Sequence, residues 1–376
     1  MVHIDVIIVG AGPSGCAAAY DLASAGRSVL LLDHQNFPRV KPCAGALTIK
    51  SVRALRYSVD PVVRATATAI QVTRDLADPL ELRSKHPICL MTVRAEFDEF
   101  CLRKTIAAGA EFRTIEDVIG LEDRADHVLL RTPTAEFSAR FVIGADGANS
   151  KVRLLLGGSE WFRRGLAIEA HAPLNERAQP MELDFGVVPR GYGWSFQKGD
   201  HLNVGLYTEA AGVKLTRDLL AQYLRRKFQR EDFDHFVGHY LGIGGLHYAP
   251  QHKRIFLVGD AAGMTDPLSG EGICNGIKSG QAVAKAIHAE LHEGRSAREV
   301  YGGELAAIRE DLEFCERATG KFYGHLDAGF AALRMPGIKR AMMNGYALGM
   351  TLSAIRKSIL TLPFASVEKK SAISKA

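Results

Sequence analysis

Ile4-Asp5-Val6-Ile7-Ile8-Val9-Gly10-Ala11-Gly12-Pro13-Ser14-Gly15 is the stretch whose reading decides the fold. Ile4–Val9 is a continuous apolar run with β-branched residues, the pattern of a parallel strand buried on both faces. Three glycines follow, then Cys16–Ala25, an alanine-rich helical pattern ended by Gly26. Ser28–Leu32 reads as a second buried strand, closed by Asp33. Strand, turn, helix and strand form a complete βαβ unit in about thirty residues, the context in which G-x-G-x-x-G spacing is informative. Gly10 permits the tight turn, Gly12 and the neighbouring Ser14 bring backbone to a pyrophosphate, and Gly15 lets helix pack on strand. The helix start offers N–H groups and a positive dipole end to phosphates. Asp33, 18 residues after Gly15, is placed to accept from ribose hydroxyls, which suits FAD or NAD better than NADP.

Two later segments complete the pattern. Phe141–Ala145 is an apolar strand leading into Asp146-Gly147-Ala148-Asn149-Ser150, with Lys151 and Arg153 beyond. Before it, Phe112–Leu121 and Val128–Arg131 read as a small antiparallel appendage that places the Val118 backbone near an adenine. Ile255–Val258 runs into Gly259-Asp260-Ala261-Ala262-Gly263, and Pro267–Ile273 precedes a helical pattern reaching about Glu293. Asp260 either bonds a ribityl chain or caps the turn that follows it. Gly270, Gly272 and Ile273 start a helix whose dipole would stabilise negative charge on a reduced flavin. Finger, clasp and late loop in this order point to bound FAD.

Bulk properties set limits. The 376 residues, 47% hydrophobic and 24% charged, suit one large two-part unit. No run approaches the roughly 20 apolar residues of a membrane-spanning helix. The finger begins so early that the fold is expected to start with the chain, without a secretory signal. Cys16, Cys43, Cys89, Cys101, Cys274 and Cys315 have no C-x-x-C pairing, so reduced thiols in a cytoplasmic protein are expected. The 13 histidines form no H-E-x-x-H cluster, and the spacing predicts no metal. Net charge is +5, yet from Leu333 onward it is +7, carried by Arg334, Lys339, Arg340, Arg356, Lys357, Lys369, Lys370 and Lys375 against Glu368. With the apolar runs Ala341–Thr351 and Ile359–Ala365, this segment either lies peripherally on an anionic membrane or forms a helical cap with a solvated face. No basic patch interleaved with aromatics suggests nucleic acid.

Over most of residues 1–300 the three glycine segments resemble the p-hydroxybenzoate hydroxylase class of flavoproteins. Phe37-Pro38-Arg39-Val40-Lys41-Pro42-Cys43-Ala44-Gly45-Ala46-Leu47 and Gly191-Tyr192-Gly193-Trp194-Ser195-Phe196-Gln197-Lys198, with Asn203-Val204-Gly205 after it, are similar to the geranylgeranyl reductase family. That family shows a K-x-C-G-G-like loop and a Y-x-W-x-F-P segment near the flavin. Val93-Arg94-Ala95-Glu96-Phe97-Asp98 resembles its helix start, where the arginine contacts FAD. Ala44 and Ala46 stand where glycines are usual, and Gln197 replaces the proline. The resemblance implies a Rossmann-like α/β FAD domain with an inserted antiparallel substrate sheet and C-terminal helices. It also implies reduction of isolated double bonds in polyprenyl chains on a lipid, quinone or chlorophyll precursor, with Cys43 and Ala44 beside the flavin.

Residue chemistry agrees in kind. Phe185, Tyr192, Trp194 and Phe196 either line an apolar cavity for a hydrocarbon or alternate inward on a core strand. An isolated alkene needs a proton as well as hydride from flavin N5, and the Tyr192 and Trp194 ring faces would stabilise developing positive charge. Cys43 is either the proton donor or a packing residue. A flavin monooxygenase is the alternative activity; the W-x-W-x-I-P segment of flavin halogenases matches only at Trp194. A non-catalytic flavin redox sensor is a further alternative. With no second Gly-rich βαβ unit, electrons come from NAD(P)H visiting transiently or from reduced ferredoxin. Residues 1–50, 90–158 and 250–300 are expected to form the FAD unit, 51–89 and 159–249 the substrate unit, and 301–376 a helical segment broken in two at Pro336-Gly337.

Overall fold

The computed structural model describes residues 4–174, 181–230 and 232–361. The chain opens with β1 (Ile4–Val9), α1 (Pro13–Ser24), β2 (Val29–Asp33), β3 (Ala46–Thr48) and α2 (Ile49–Ala54). It continues through β4 (Ala65–Ala67), β5 (Ala69–Arg74), β6 (Ala77–Arg83), β7 (Cys89–Met91), α3 (Arg94–Ala107) and β8 (Glu111–Thr114). Next come β9 (Gly120–Asp123), β10 (Val128–Arg131), β11 (Glu136–Gly144), α4 (Lys151–Leu155), β12 (Arg163–Ala172) and β13 (Met181–Phe185). After these lie β14 (Gly191–Gln197), β15 (Leu202–Thr208), α5 (Arg217–Phe228), β16 (Asp234–Ile243) and β17 (Ile255–Leu257). The helices α6 (Ile273–Glu293), α7 (Ala297–Glu304), α8 (Ala306–Gly324), α9 (Leu326–Arg334), α10 (Pro336–Ala347) and α11 (Leu352–Thr361) follow.

β1 lies inside a sheet of order β8-β2-β1-β11-β10-β9, and Val6, Ile7 and Ile8 are fully buried there. That is why its sequence shows no alternation. β11 serves two partners along one edge. Its early residues pair antiparallel with β10, Ala139 opposite Val128, whereas Val142–Gly144 pair parallel with Ile255–Leu257 of β17. α1 packs against α6 at close range: a Cβ on Gly280 would lie 2.3 Å from the Ser14 carbonyl oxygen.

The second sheet has the order β16-β12-β15-β14-β13-β5-β6 and is antiparallel except where β13 meets β5. That parallel pair, Glu182 opposite Gln71, joins residues 69–83 to the sheet of residues 163–243. One face carries Tyr192, Trp194, Phe196 and Tyr207 against Phe330 and Met343 of the late helices. The other face packs Ile168, Val204 and Leu206 on Leu220 and Leu224 of α5. Buried Asp184 pins β13 in place, accepting from Thr73 Oγ1 at 2.6 Å, Tyr223 Oη at 2.6 Å and Lys227 Nζ at 2.7 Å. A small sheet, β3-β7-β4, lies between the two halves in sequence.

Two expectations change. Phe112–Leu121 is not one strand of an antiparallel appendage: β8 pairs parallel with β2, and only β9 and β10 join the antiparallel hairpin. Apolar periodicity reports burial but not which partner a strand meets, and this run spans two strands with different partners. The C-terminal segment breaks at more places than Pro336-Gly337, being divided into α7 to α11 from Ala297 onward. Pro336 opens α10 at its first position, where a missing N–H is tolerated, but the breaks at Leu305, His325 and Gly349 carry no proline signal. Glu368, Lys369, Lys370, Lys375 and the end of the Ile359–Ala365 run lie outside the described residues. Among the described residues no helix is long and apolar enough to cross a membrane.

Candidate active site

The glycines of the finger do different jobs. Gly10 has φ +103°, and a Cβ there would meet the Ala145 oxygen at 2.4 Å; a Cβ on Gly15 would meet the Gly10 oxygen at 1.8 Å. Both are forced by close packing of finger on clasp. Gly12 is different: the nearest atom to a Cβ there is Arg39 Nη2 at 3.6 Å, so this position faces open space. The Ser14 hydroxyl points elsewhere, into the contact with Gly259 and Gly276, so that it knits α1 to the late loop. Asp33 accepts from the Ala11 N–H at 2.8 Å and the Gln35 N–H at 3.0 Å, holding the finger to the end of β2. Val118 lies in the connection after β8, which itself leaves β2 beside Asp33.

Beside Gly12 two arginines share one carboxylate, with Lys41 close by. Arg94 donates to Asp98 through Nε at 2.7 Å and Nη2 at 2.8 Å, and Arg39 Nη2 approaches the same group at 3.2 Å. Burial, and then Arg94, push Lys41 down to about 8; its ammonium bonds the His239 ring, itself pushed down to about 3 by burial and Lys41. Arg39 Nε is buried without a partner. An orphaned guanidinium nitrogen and excess positive charge at the open side of Gly12 fit the diphosphate of FAD.

The clasp and late loop meet through Arg153, which donates to the Ala148 oxygen at 2.7 Å and the Ala261 oxygen at 2.9 Å. Asp146 accepts from Ser150 Oγ at 2.6 Å and the Val152 N–H at 3.1 Å, and burial raises its carboxyl above the usual range. Next to it, Gly147 has φ +79° with open space around it. Asp260 caps nothing: it accepts from Thr265 Oγ1 at 2.9 Å and the Gly242 N–H at 3.3 Å. Gly272 is the N-cap of α6 and offers no side chain, leaving the helix start before Ile273 uncapped. Three tyrosines hold the loop ahead of it by consecutive carbonyls. Tyr207 donates to Pro267 at 3.0 Å, Tyr323 to Leu268 at 2.8 Å and Tyr192 to Ser269 at 2.5 Å.

The aromatic segment lies on this same ground. Phe185 and Tyr192 have ring centroids 5.6 Å apart, Tyr192 and Trp194 6.3 Å. Tyr192 Oη would lie 3.3 Å from a Cβ on Gly270, so the aromatic face reaches the start of α6. Trp194 stands over Gly205, where a Cβ would come within 2.2 Å of its ring. All four predicted aromatics pack into one cluster, which Phe322, Phe330 and Met343 cover.

Cys43 is half-buried, with the Gly45 N–H 3.4 Å from its sulfur, and Arg94 beside it. Residues that the sequence reading did not select surround its loop. Lys198 donates to the Ala44 oxygen, and burial pushes it down to about 8. Glu169 on β12 is buried against the Cys43 N–H and Asn203, and burial raises its carboxyl. Asn203 Oδ1 in turn accepts from Trp194 Nε1 at 2.7 Å. A polar chain therefore runs from the indole through Asn203 and Glu169 to the Cys43 backbone. The one available sequence signal was an acid at an inward position of an otherwise apolar strand.

The family model described as FAD binding domain matches residues 3–175. The chain is 32% identical to an uncharacterised protein of Methanosarcina barkeri over 88% of this chain and 86% of that one. It is 29% identical to a geranylgeranyl diphosphate reductase of Rhodobacter capsulatus, covering 78% of this chain and 77% of the relative. A geranylgeranyl bacteriochlorophyll reductase-like protein of Thermoplasma acidophilum shares the fold with a TM-score of 0.78 at 18% identity, covering 95% and 96% of the two chains. This protein binds FAD, is an oxidoreductase, and belongs to the geranylgeranyl reductase family.

Proposed function

We propose that this protein saturates isolated carbon–carbon double bonds in a polyprenyl chain carried by a lipid, quinone or chlorophyll precursor. The observation that carries this reading is the meeting of three parts: the Cys43 loop, the Tyr192–Trp194 aromatic face and the uncapped start of α6. Such a site joins an apolar surface to a buried proton source.

Gly10, Gly12, Ser14, Gly15, Asp33, Val118, Asp146, Gly147, Asp260, Gly270, Gly272 and Ile273 are proposed to surround the cofactor, with Arg39, Lys41 and Arg94 neutralising its diphosphate. When bound and reduced, FAD supplies a hydride. The chain's residues supply what hydride transfer lacks. Cys43 Sγ holds the proton that goes to the less substituted alkene carbon, so two hydrogens are added in all. Glu169, buried against the Cys43 backbone N–H, positions the loop that carries the thiol. Tyr192 and Trp194 present ring faces to the tertiary carbon, and with Phe185 and Phe196 they exclude water. NAD(P)H or reduced ferredoxin is the proposed electron source. The basic residues of α9 to α11, beside exposed Met335 and Leu348, would bring the protein peripherally to the membrane holding its substrate.

The test is anaerobic. Flavin-reduced protein incubated with mixed polyprenyl lipids should yield products heavier by the mass of dihydrogen, once or repeatedly. Cys43→Ser should keep its flavin and lose most turnover. Products that gain an oxygen atom only in air would replace this reading with a monooxygenase.

A further inference from the structure

At one edge of the second sheet lies a cluster of chemistry that flavin binding does not use. His171 ends β12, while Asp234 and His235 begin β16. Their ligating atoms all lie within 4.8 Å of one another. His201, in the turn between β14 and β15, stacks on His171 with ring centroids 4.2 Å apart, and His235 lies 4.8 Å from His171 on another side. Two imidazoles and a carboxylate thus converge from two strands, with the His201 ring packed beside them.

We propose that His171, His235 and Asp234 bind a divalent transition-metal ion of the Zn2+ class, with water as the fourth ligand. The donor set selects the metal: imidazole nitrogen suits zinc, nickel and copper, whereas Mg2+ and Ca2+ prefer oxygen. Bonds of about 2.0–2.1 Å require ligand atoms roughly 3.4 Å apart. Closing from 4.8 Å needs only rotamer adjustment by Asp234 and His235, whose side chains are 73% and 71% exposed.

Two local features fit. The β12–β16 register shifts between Glu169 and His171, and His235 has φ +48°. A bulge and a left-handed residue re-aim side chains at the sheet edge. The spacing of 171, 234 and 235 has no local motif, which is why sequence spacing predicted no metal. The ion would clip β12 and β16 together.

The experiment titrates Zn2+ calorimetrically into tag-free, FAD-loaded, chelator-stripped full chain. The expected result is one ion per chain at micromolar affinity or tighter, with at least tenfold weakening in His171→Ala and in His235→Ala. Exposed His235→Ala should keep wild-type flavin content and thermal midpoint without zinc, separating loss of ligand from loss of fold. His288 and His292, one turn apart on α6 with ring centroids 5.6 Å apart, are the rival pair. Loss of binding in His288→Ala with retention in His171→Ala would overturn the proposal. So would absence of one-to-one binding, or equal affinity for Mg2+.

Discussion

Glu169 shows how much one residue's surroundings decide. A carboxylate buried between Asn203 and the Cys43 N–H loses water, and the nearby Lys198 and Arg94 charges only partly offset that loss. Because its folded pKa is raised, the native state holds an extra proton only between about 4.5 and the folded value. The associated stability is complete below that pH and is lost as pH rises through the folded value. Glu169→Gln imitates the protonated form. Its thermal midpoint should therefore gain on wild type as pH rises above about 4.5, and a pH-independent difference would sink the assignment.

At the scale of elements, the finger packs on itself and on the clasp too closely to admit a side chain at Gly10 or Gly15. Gly15 sits where α1 crosses the β1–α1 turn, and even one methyl group would overlap the Gly10 oxygen. Gly15→Ala should push α1 off the turn, so protein purified from that variant should carry little or no flavin absorbance. Undiminished flavin would show that the finger can relax. This element was legible because glycine spacing, apolar runs and a closing acid are all local. The division of residues 111–123 between two sheet neighbours was not, since β8 and β9 differ only in the strand each one meets.

For the molecule as a whole, the late helices cover the aromatic face of the second sheet. Phe330 of α9 is 2% exposed and lies 6.2 Å from Phe185 and 6.4 Å from Phe322, ring centre to ring centre. Phe330→Ala should cost about 3–5 kcal/mol by leaving a cavity between helix and sheet, measurable in urea unfolding. A smaller loss, near 1 kcal/mol, would mean that α9 is held elsewhere. The same docking explains why Tyr192 and Tyr323, far apart in sequence, grip adjacent carbonyls of one loop.

The sequence by itself determined the FAD fold and the family, because a βαβ unit is specified by neighbours along the chain and by backbone that only glycine can adopt. It also marked the Cys43 loop and the Tyr192–Phe196 strand. Tertiary structure alone decided what faces them. Glu169, Lys198 and Asn203 reach the Cys43 loop only because β12, β14 and β15 pair in one register. His171, Asp234 and His235 meet only because β16 pairs with β12. Pairing across a sheet is set by burial and shape over long separations, and a linear pattern carries no record of it.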